Sequence, residues 1–409
     1  PMAFHLPRSE FVGVDASERQ VSEARAVART LGLRNVRLEH ASILDVGASW
    51  GEFDYVVCHG VFSWVSEEVQ DKILAIAAER LRPQGIAYVS YNTYPGWHVR
   101  GAVRHMMRYH ADPFRDVSER IGQARALLEF LASNVDPESY YGAALQSELT
   151  LVSRVGDSYL FHDHLEEVNA PLYFHEFVGR ADRHGLRYLA EADFSTMLTS
   201  GFPETTAETL ERISPDLVHA EQYMDFLRNR FFRQTLLCGA GHDLQRRLSG
   251  SNLEGLLLAS AVVPDGTSDQ NEPGFRMPDG RRVATTFPLT HAVLEVLGEH
   301  WPQALDQETL SVLARERLPA APDRGHQAEG WEVVREDMLH CYTRGAIELR
   351  TWQAPCMNRV SERPEVSRLA AAQARGDGRV TNQRHEPVSL DVVGRHLARM
   401  LDGTRDRAA

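Results

Sequence analysis

The densest group of chemically able side chains is one short stretch, Ser90-Tyr91-Asn92-Thr93-Tyr94-Pro95-Gly96-Trp97-His98. Tyr91, Tyr94 and Trp97 bring aromatic faces, Asn92 an amide, Thr93 a hydroxyl and His98 an imidazole. A neutral amine that attacks an electrophilic methyl needs its lone pair aligned and a place for the departing proton. Aromatic faces and an amide carbonyl suit such an amine and the cation it becomes. Pro95-Gly96 among aromatics marks a loop, the usual carrier of function, rather than a core stripe. The competing account is an aromatic loop packed on a neighbouring helical segment.

Three earlier segments could serve a nucleotide-like cofactor. Val12-Gly13-Val14-Asp15 is an apolar run ending in an acid, and an acid at the carboxyl end of a parallel strand faces the ligand crevice of open α/β sheets. There Asp15 could accept both ribose hydroxyls; alternatively it, Ala16 or Ser17 serves to start the helix that follows. His40-Ala41-Ser42-Ile43 ends the next strand. Its backbone could meet the polar edge of an adenine and Ile43 its face, although a core isoleucine has the same appearance. Cys58-His59-Gly60 ends the third strand, where carbonyls could hold an amino group and Gly60 permits close backbone approach. His59 is either a base or a structural histidine. Cys58 closes an apolar strand and reads as an inert thiol.

Other chemistry is poorly supported. His162-Asp163-His164 with His175-Glu176 follows no metal-ligand spacing, so no metal is expected. The four cysteines form no CxxC pair and read as free thiols of a reducing compartment, which places the protein in the cytoplasm. The longest apolar run, residues 256–263, stops at Pro264 and is too short to span a bilayer. No secretory leader is recognisable. The net charge of -13 argues against nucleic acid as the main partner. It fits either simple solubility or a basic partner such as lysine-bearing protein.

The elements that must position these residues follow from periodicity. With 409 residues, 43% of them hydrophobic, the chain can build two or three cores. Strands are expected at 11–15, 36–40, 53–59 and 86–91, with helices at 17–32 and 69–81, a βα rhythm that implies a parallel sheet. Residues 116–198 read as helical, as do residues 221–238. A linker covers 264–274, and a hairpin turned by Asp279-Gly280 follows at 275–283. Helices at 291–299, 307–317 and 332–343 precede a strand at 347–352, suggesting a winged-helix-like unit. Its helix at 307–317 is mixed in charge, which counts against a nucleic-acid reader.

These segments resemble bacterial class I S-adenosylmethionine-dependent methyltransferases that carry a methyltransferase regulatory domain, similar to those that modify lysines of outer-membrane proteins. The resemblance rests on residues 12–17, 40–45, 58–64 and 91–98, and above all on Asn92-Thr93-Tyr94-Pro95-Gly96-Trp97-His98. It extends through 223–230, 232–234, 380–382, 384–386 and 401–407. It implies a truncated Rossmann-like α/β methyltransferase domain at 1–112, a helical regulatory or substrate domain at 113–245 and a winged-helix-like C-terminal domain at 246–409. It implies S-adenosylmethionine as cofactor, held by Asp15, Ala16, Ser42, Ile43, Cys58, His59 and Gly60. Tyr91, Asn92, Tyr94, Trp97 and His98 would form the acceptor side for a protein lysine. Ser42 stands where many such enzymes have an acid. The family's opening strand and glycine-rich loop are missing, because residues 1–7 resemble the end of the helix that follows them. The chain therefore reads as N-terminally truncated, with a degenerate, non-catalytic binding relative as the alternative.

Overall fold

The computed structural model describes residues 1–266, 274–318, 327–357 and 359–406. Most of the expected linker at 264–274, and Arg407, lie outside these. The chain divides into two compact units, one of Pro1–Ser42 with Gln245–Ala409 and the other of Ile43–Leu244.

The first unit opens with a short helix α1 (Met2–His5), β1 (Phe11–Asp15), α2 (Glu18–Thr30) and β2 (Val36–His40). β1 and β2 pair in parallel, Phe11 opposite Val36 through Asp15 opposite His40. α2 starts where the Ser17 hydroxyl accepts from the Gln20 amide, and it is followed by Gly32 at φ +69°. Both are the boundaries that the sequence predicts.

The second unit holds β3 (Phe53–Cys58), α3 (Glu67–Arg80), β4 (Leu81–Asn92), α4 (Gly96–Ala111), α5 (Val117–Asn134) and α6 (Tyr140–Arg154). Then come α7 (Asp157–Leu160), a π-helical turn at Phe161–Leu165, α8 (Phe174–Arg183), β5 (Leu186–Glu191), α9 (Glu204–Ile213), α10 (Leu217–Arg228) and β6 (Phe232–Gly239). The sheet order is β3-β4-β6-β5, with β3 and β4 parallel and β6 antiparallel to both its neighbours. α3 and α8 cover it, with Phe62, Leu74, Val89, Tyr91, Phe177 and Leu237 in one core. α4, α5 and α6 build a second core around Met107, Leu128 and Leu145. Two expectations fail here. The helix predicted over 221–238 ends at Arg228, where Asn229 turns left-handed at φ +47°, and the chain leaves as β6. The helical stretch predicted over 116–198 contains β5.

The first unit resumes with β7 (Leu257–Ala259), β8 (Val263–Pro264), β9 (Gly274–Arg276), β10 (Arg282–Ala284), α11 (Pro288–His300), α12 (Gln307–Arg315), α13 (Gln327–Thr343) and β11 (Glu348–Arg350). β9 and β10 form the expected hairpin, with Gly280 at φ +86° in its turn. α14 (Arg368–Gln373), β12 (Arg379–Thr381), β13 (Pro387–Ser389) and α15 (Val392–Met400) complete the chain, a hairpin between two helices with its own small core.

Candidate functional site

In the second unit, β3 and β4 run parallel and end at the same border of the sheet, with Cys58 opposite Val89. The chain beyond Cys58 is fastened to β4. The Gly60 amide donates to Ser90 Oγ at 2.9 Å, and His59 Nδ1 lies 3.1 Å from Ser90 Oγ and 3.0 Å from the Tyr88 hydroxyl. Gly60 has φ +69° and open space where a Cβ would stand, so the backbone there is approachable. His59 is exposed, whereas Cys58 is buried, and burial pushes its thiol up to about 12, as an inert thiol requires. Ile43 is half-buried against the same core.

β4 ends at Asn92, which is buried and knitted to a neighbouring segment. Its backbone amide donates to Ser63 Oγ at 2.8 Å and its side-chain amide to Asn169 Oδ1 at 2.9 Å. The Leu172 amide donates to the Asn92 carbonyl at 3.2 Å, and Thr93 Oγ1 donates to the Leu172 carbonyl at 2.7 Å. Arg104 and Arg108 of α4 hold the carbonyls of Glu166 and Glu167, fixing the start of that segment.

The loop after β4 then presents its rings. Tyr94 precedes a cis peptide to Pro95, and its ring stacks on His98 with centroids 4.1 Å apart and planes 12° apart. Tyr173, at the start of α8, closes the group: its ring centroid is 5.2 Å from Tyr94, and its hydroxyl lies 2.9 Å from His98 Nε2. His98 is exposed and Tyr94 half-buried, and burial beside Tyr173 and Glu176 raises the Tyr94 phenol. Tyr91 and Trp97 lie inside the protein. Tyr91 is 1% exposed, stacks on Phe177 at 4.1 Å and shares a hydrogen bond with Thr235 Oγ1 at 3.1 Å. Trp97 is 2% exposed, beneath the Arg100 guanidinium at 5.1 Å. The stretch 90–98, expected to be a loop, is one only at Thr93–Pro95: Ser90–Asn92 belong to β4 and Gly96–His98 to α4, Tyr94 and His98 gather with Tyr173, and Tyr91, Asn92 and Trp97 are buried.

In the first unit, the ends of β1 and β2 are held side by side by the Ala41 amide, which donates to the Asp15 carbonyl at 3.2 Å. The exposed Asp15 carboxylate accepts from the Ser17 amide at 2.7 Å, and the Ala16 carbonyl lies 3.1 Å from His40 Nε2. Ser42, two residues beyond β2, is half-buried.

Among the described residues, no group of three or more His, Cys, Asp or Glu is placed to hold a metal ion. His164 instead meets Glu148 at 2.7 Å, His175 meets Gln222 at 2.9 Å, and His162 packs on Trp64. Tyr173 and Asn169 escape sequence reasoning. Tyr173 is 75 residues from His98, and no spacing signals a pair so far apart.

A model of a methyltransferase domain matches residues 1–85, a predicted methyltransferase regulatory domain matches 156–239, and a PKMT C-terminal winged helix domain matches 362–409. The last stretch holds the hairpin between α14 and α15, while the β9–β10 hairpin lies outside it. An uncharacterized protein of Rickettsia prowazekii (strain Madrid E) is 34% identical over 421 residues, covering 100% of this chain and 75% of its own length. A second uncharacterized protein of that organism is 41% identical over 184 residues, 45% of this chain and 74% of its own. The structure of PKMT2 from Rickettsia typhi in complex with AdoHcy matches with a TM-score of 0.87 and 31% identity, over 99% of this chain and 80% of that one. With its three matched domains and these relatives, the chain belongs to the family of S-adenosylmethionine-dependent methyltransferases that join a methyltransferase domain to a regulatory domain and a PKMT winged helix domain.

Proposed function

We propose that the protein transfers a methyl group from S-adenosylmethionine to the ε-amine of a protein lysine. The observation that carries this reading is the ring group Tyr94, His98 and Tyr173 at the carboxyl end of β4. The acceptor class is further supported by the match to PKMT2, a name that denotes a protein lysine methyltransferase. S-adenosylmethionine, when bound, supplies an electrophilic methyl on a sulfonium. Its binding roles fall to Asp15 for the ribose, with Ala16 and Ser42 beside it in sequence, to Ile43 for the adenine face, and to the Cys58-His59-Gly60 backbone for the amino-acid end. The open space over Gly60 fits that last role.

On the acceptor side, Tyr94 and Tyr173 offer ring faces to an alkyl ammonium and its methylated product. A lysine amine has an ordinary pKa of about 10.4, so it must lose a proton before it can attack. His98 Nε2, bonded to the Tyr173 hydroxyl and open to solvent, is the group that would take that proton and pass it outward. Asn92, Tyr91 and Trp97 act in this reading by carrying the loop. In this reading residues 1–112 are the methyltransferase domain with both donor and acceptor-loop residues, 113–245 the regulatory or substrate domain that adds Tyr173, and 246–409 the winged-helix-like C-terminal domain.

Two further points belong to the proposal. Among the described residues β3 is an edge strand, and Tyr55 and Val57 on one of its faces are 70% and 56% exposed. The four free cysteines are buried thiols, and no helix among the described residues is long and apolar enough to cross a membrane; both fit a cytoplasmic enzyme. The test is incubation with methyl-labelled donor and a lysine-rich polypeptide, with the label located by mass spectrometry. Label on lysine supports the reading. Donor binding without transfer to any polypeptide favours a non-catalytic relative that docks protein.

A further inference from the structure

Behind the acceptor loop lies a buried cluster of two arginines and three carboxylates. Arg233 is wholly buried on β6, bonded to Glu191 at 2.8 Å, to Glu221 at 3.0 Å and to Asp225 at 2.8 Å. Its guanidinium also lies 3.8 Å from the Phe174 ring centroid. Arg230 sits at the margin of the cluster, in the turn between α10 and β6. It reaches Glu191 at 3.4 Å, Asp225 at 3.6 Å and Thr196 Oγ1 at 3.0 Å, while its Nε donates to the Phe232 carbonyl at 3.1 Å.

The backbone of this turn is what holds the loop. The Gly96 amide donates to the Arg230 carbonyl at 2.9 Å, and the Thr93 amide donates to the Phe231 carbonyl at 3.0 Å. The approach is tight: a Cβ on Gly96 would stand 2.6 Å from Phe231 Cβ and 2.7 Å from the Arg230 carbonyl oxygen. Tyr94, with its ring on His98, lies between these two anchored amides. Paired buried charges fix geometry more than they add stability, because desolvation offsets most of their attraction. A five-membered cluster against a turn that anchors a functional loop fits that use.

We infer that Arg230 is a positioning residue for the acceptor loop, its guanidinium locking the 229–232 turn whose carbonyls hold Thr93 and Gly96. This rests on the acceptor-loop reading above, so its test uses a readout that needs no activity. Amide hydrogen exchange is measured on the full chain for wild type, Arg230→Met and Arg230→Lys. The expected result is at least about ten-fold faster exchange at Thr93 and Gly96 in Arg230→Met, unchanged exchange at Val89 and Leu237, and partial recovery in Arg230→Lys. Should Arg230→Met loosen the whole unit, Thr196→Val decides, because it removes one partner of the guanidinium without stranding a buried charge. Acceleration confined to 93–97 then supports the inference. Unchanged exchange at Thr93 and Gly96 in the folded variants overturns it, as does a failure of lysine to recover any protection. With the lysine polypeptide as acceptor, Arg230→Met should raise the acceptor KM while donor affinity stays unchanged. Absence of transfer by the wild type counts against the functional reading alone, since the exchange result stands without it.

Discussion

The contact between His98 Nε2 and the Tyr173 hydroxyl ties an exposed imidazole to a phenol on another helix, so the two side chains should not be equivalent in function. Replacing His98 by Ala removes both the proposed proton acceptor and the ring stacked on Tyr94. Steady-state assays should show kcat lower by about 10²-fold or more, the usual scale of a general base. Tyr173→Phe keeps the ring and loses one hydrogen bond, so a loss of about ten-fold or less is expected. Equal and small effects would remove the pair from the chemistry. A second residue-scale prediction concerns Glu221. Burial pushes its carboxyl up to about 7, opposed by Arg233 and reinforced by Glu191, from an ordinary value of 4.5. Between those values the folded protein keeps a proton that the unfolded chain has released. The stabilising contribution is therefore complete below the lower value and is lost as pH rises through the upper one. Urea unfolding of wild type should show stability falling between about pH 5 and about pH 8, and Glu221→Gln should flatten that fall. Identical profiles would show that Glu221 does not titrate there.

At the scale of elements, the loop after β4 depends on a glycine for reasons of space. Gly96→Ala places a Cβ against the Arg230 carbonyl and Phe231, neither of which is the far end of a flexible chain. A cost of about 1–3 kcal/mol is expected in chemical denaturation, with the acceptor loop the first part to loosen. The outer strand behaves oppositely. Val57 is 56% exposed at the edge, and Val57→Thr should change stability by no more than about 0.5 kcal/mol. Leu237→Ala, on a fully buried position of β6, should cost about 2–5 kcal/mol. Comparable losses at both positions would mean that the β3 edge is covered in solution. These elements also show what the sequence can and cannot tell. Ser17 and Gly32 mark the ends of α2 because capping is local chemistry. The turn at Asp279-Gly280 is equally local. β6 hides because its inward positions carry Arg233 and Thr235. A strand whose interior face is polar loses the alternation that identifies one, and only Glu191, Glu221 and Asp225, brought from other elements, make that face tenable. The candidate site was legible as the stretch around Tyr94-Pro95, but not that Gly96–His98 open α4, nor which of its rings are buried. That depends on Phe177, Thr235 and Trp64, whose proximity to Tyr91 and Trp97 is tertiary.

At the scale of the whole molecule, the proposed activity requires that the protein bind S-adenosylmethionine. Binding of that single small molecule is the most direct test, because every later step depends on it. Titration calorimetry of S-adenosylmethionine should be run on the chain, on the chain extended upstream by its natural residues, and on the extended form with Asp15→Asn. The account predicts saturable binding by the extended form, with Kd between roughly 1 μM and 1 mM, and at least about ten-fold weakening by Asp15→Asn, the scale of lost hydrogen bonds to a charged group. No heat of binding from either wild-type form would contradict it, leaving a protein that docks a partner without the chemistry its loop suggests.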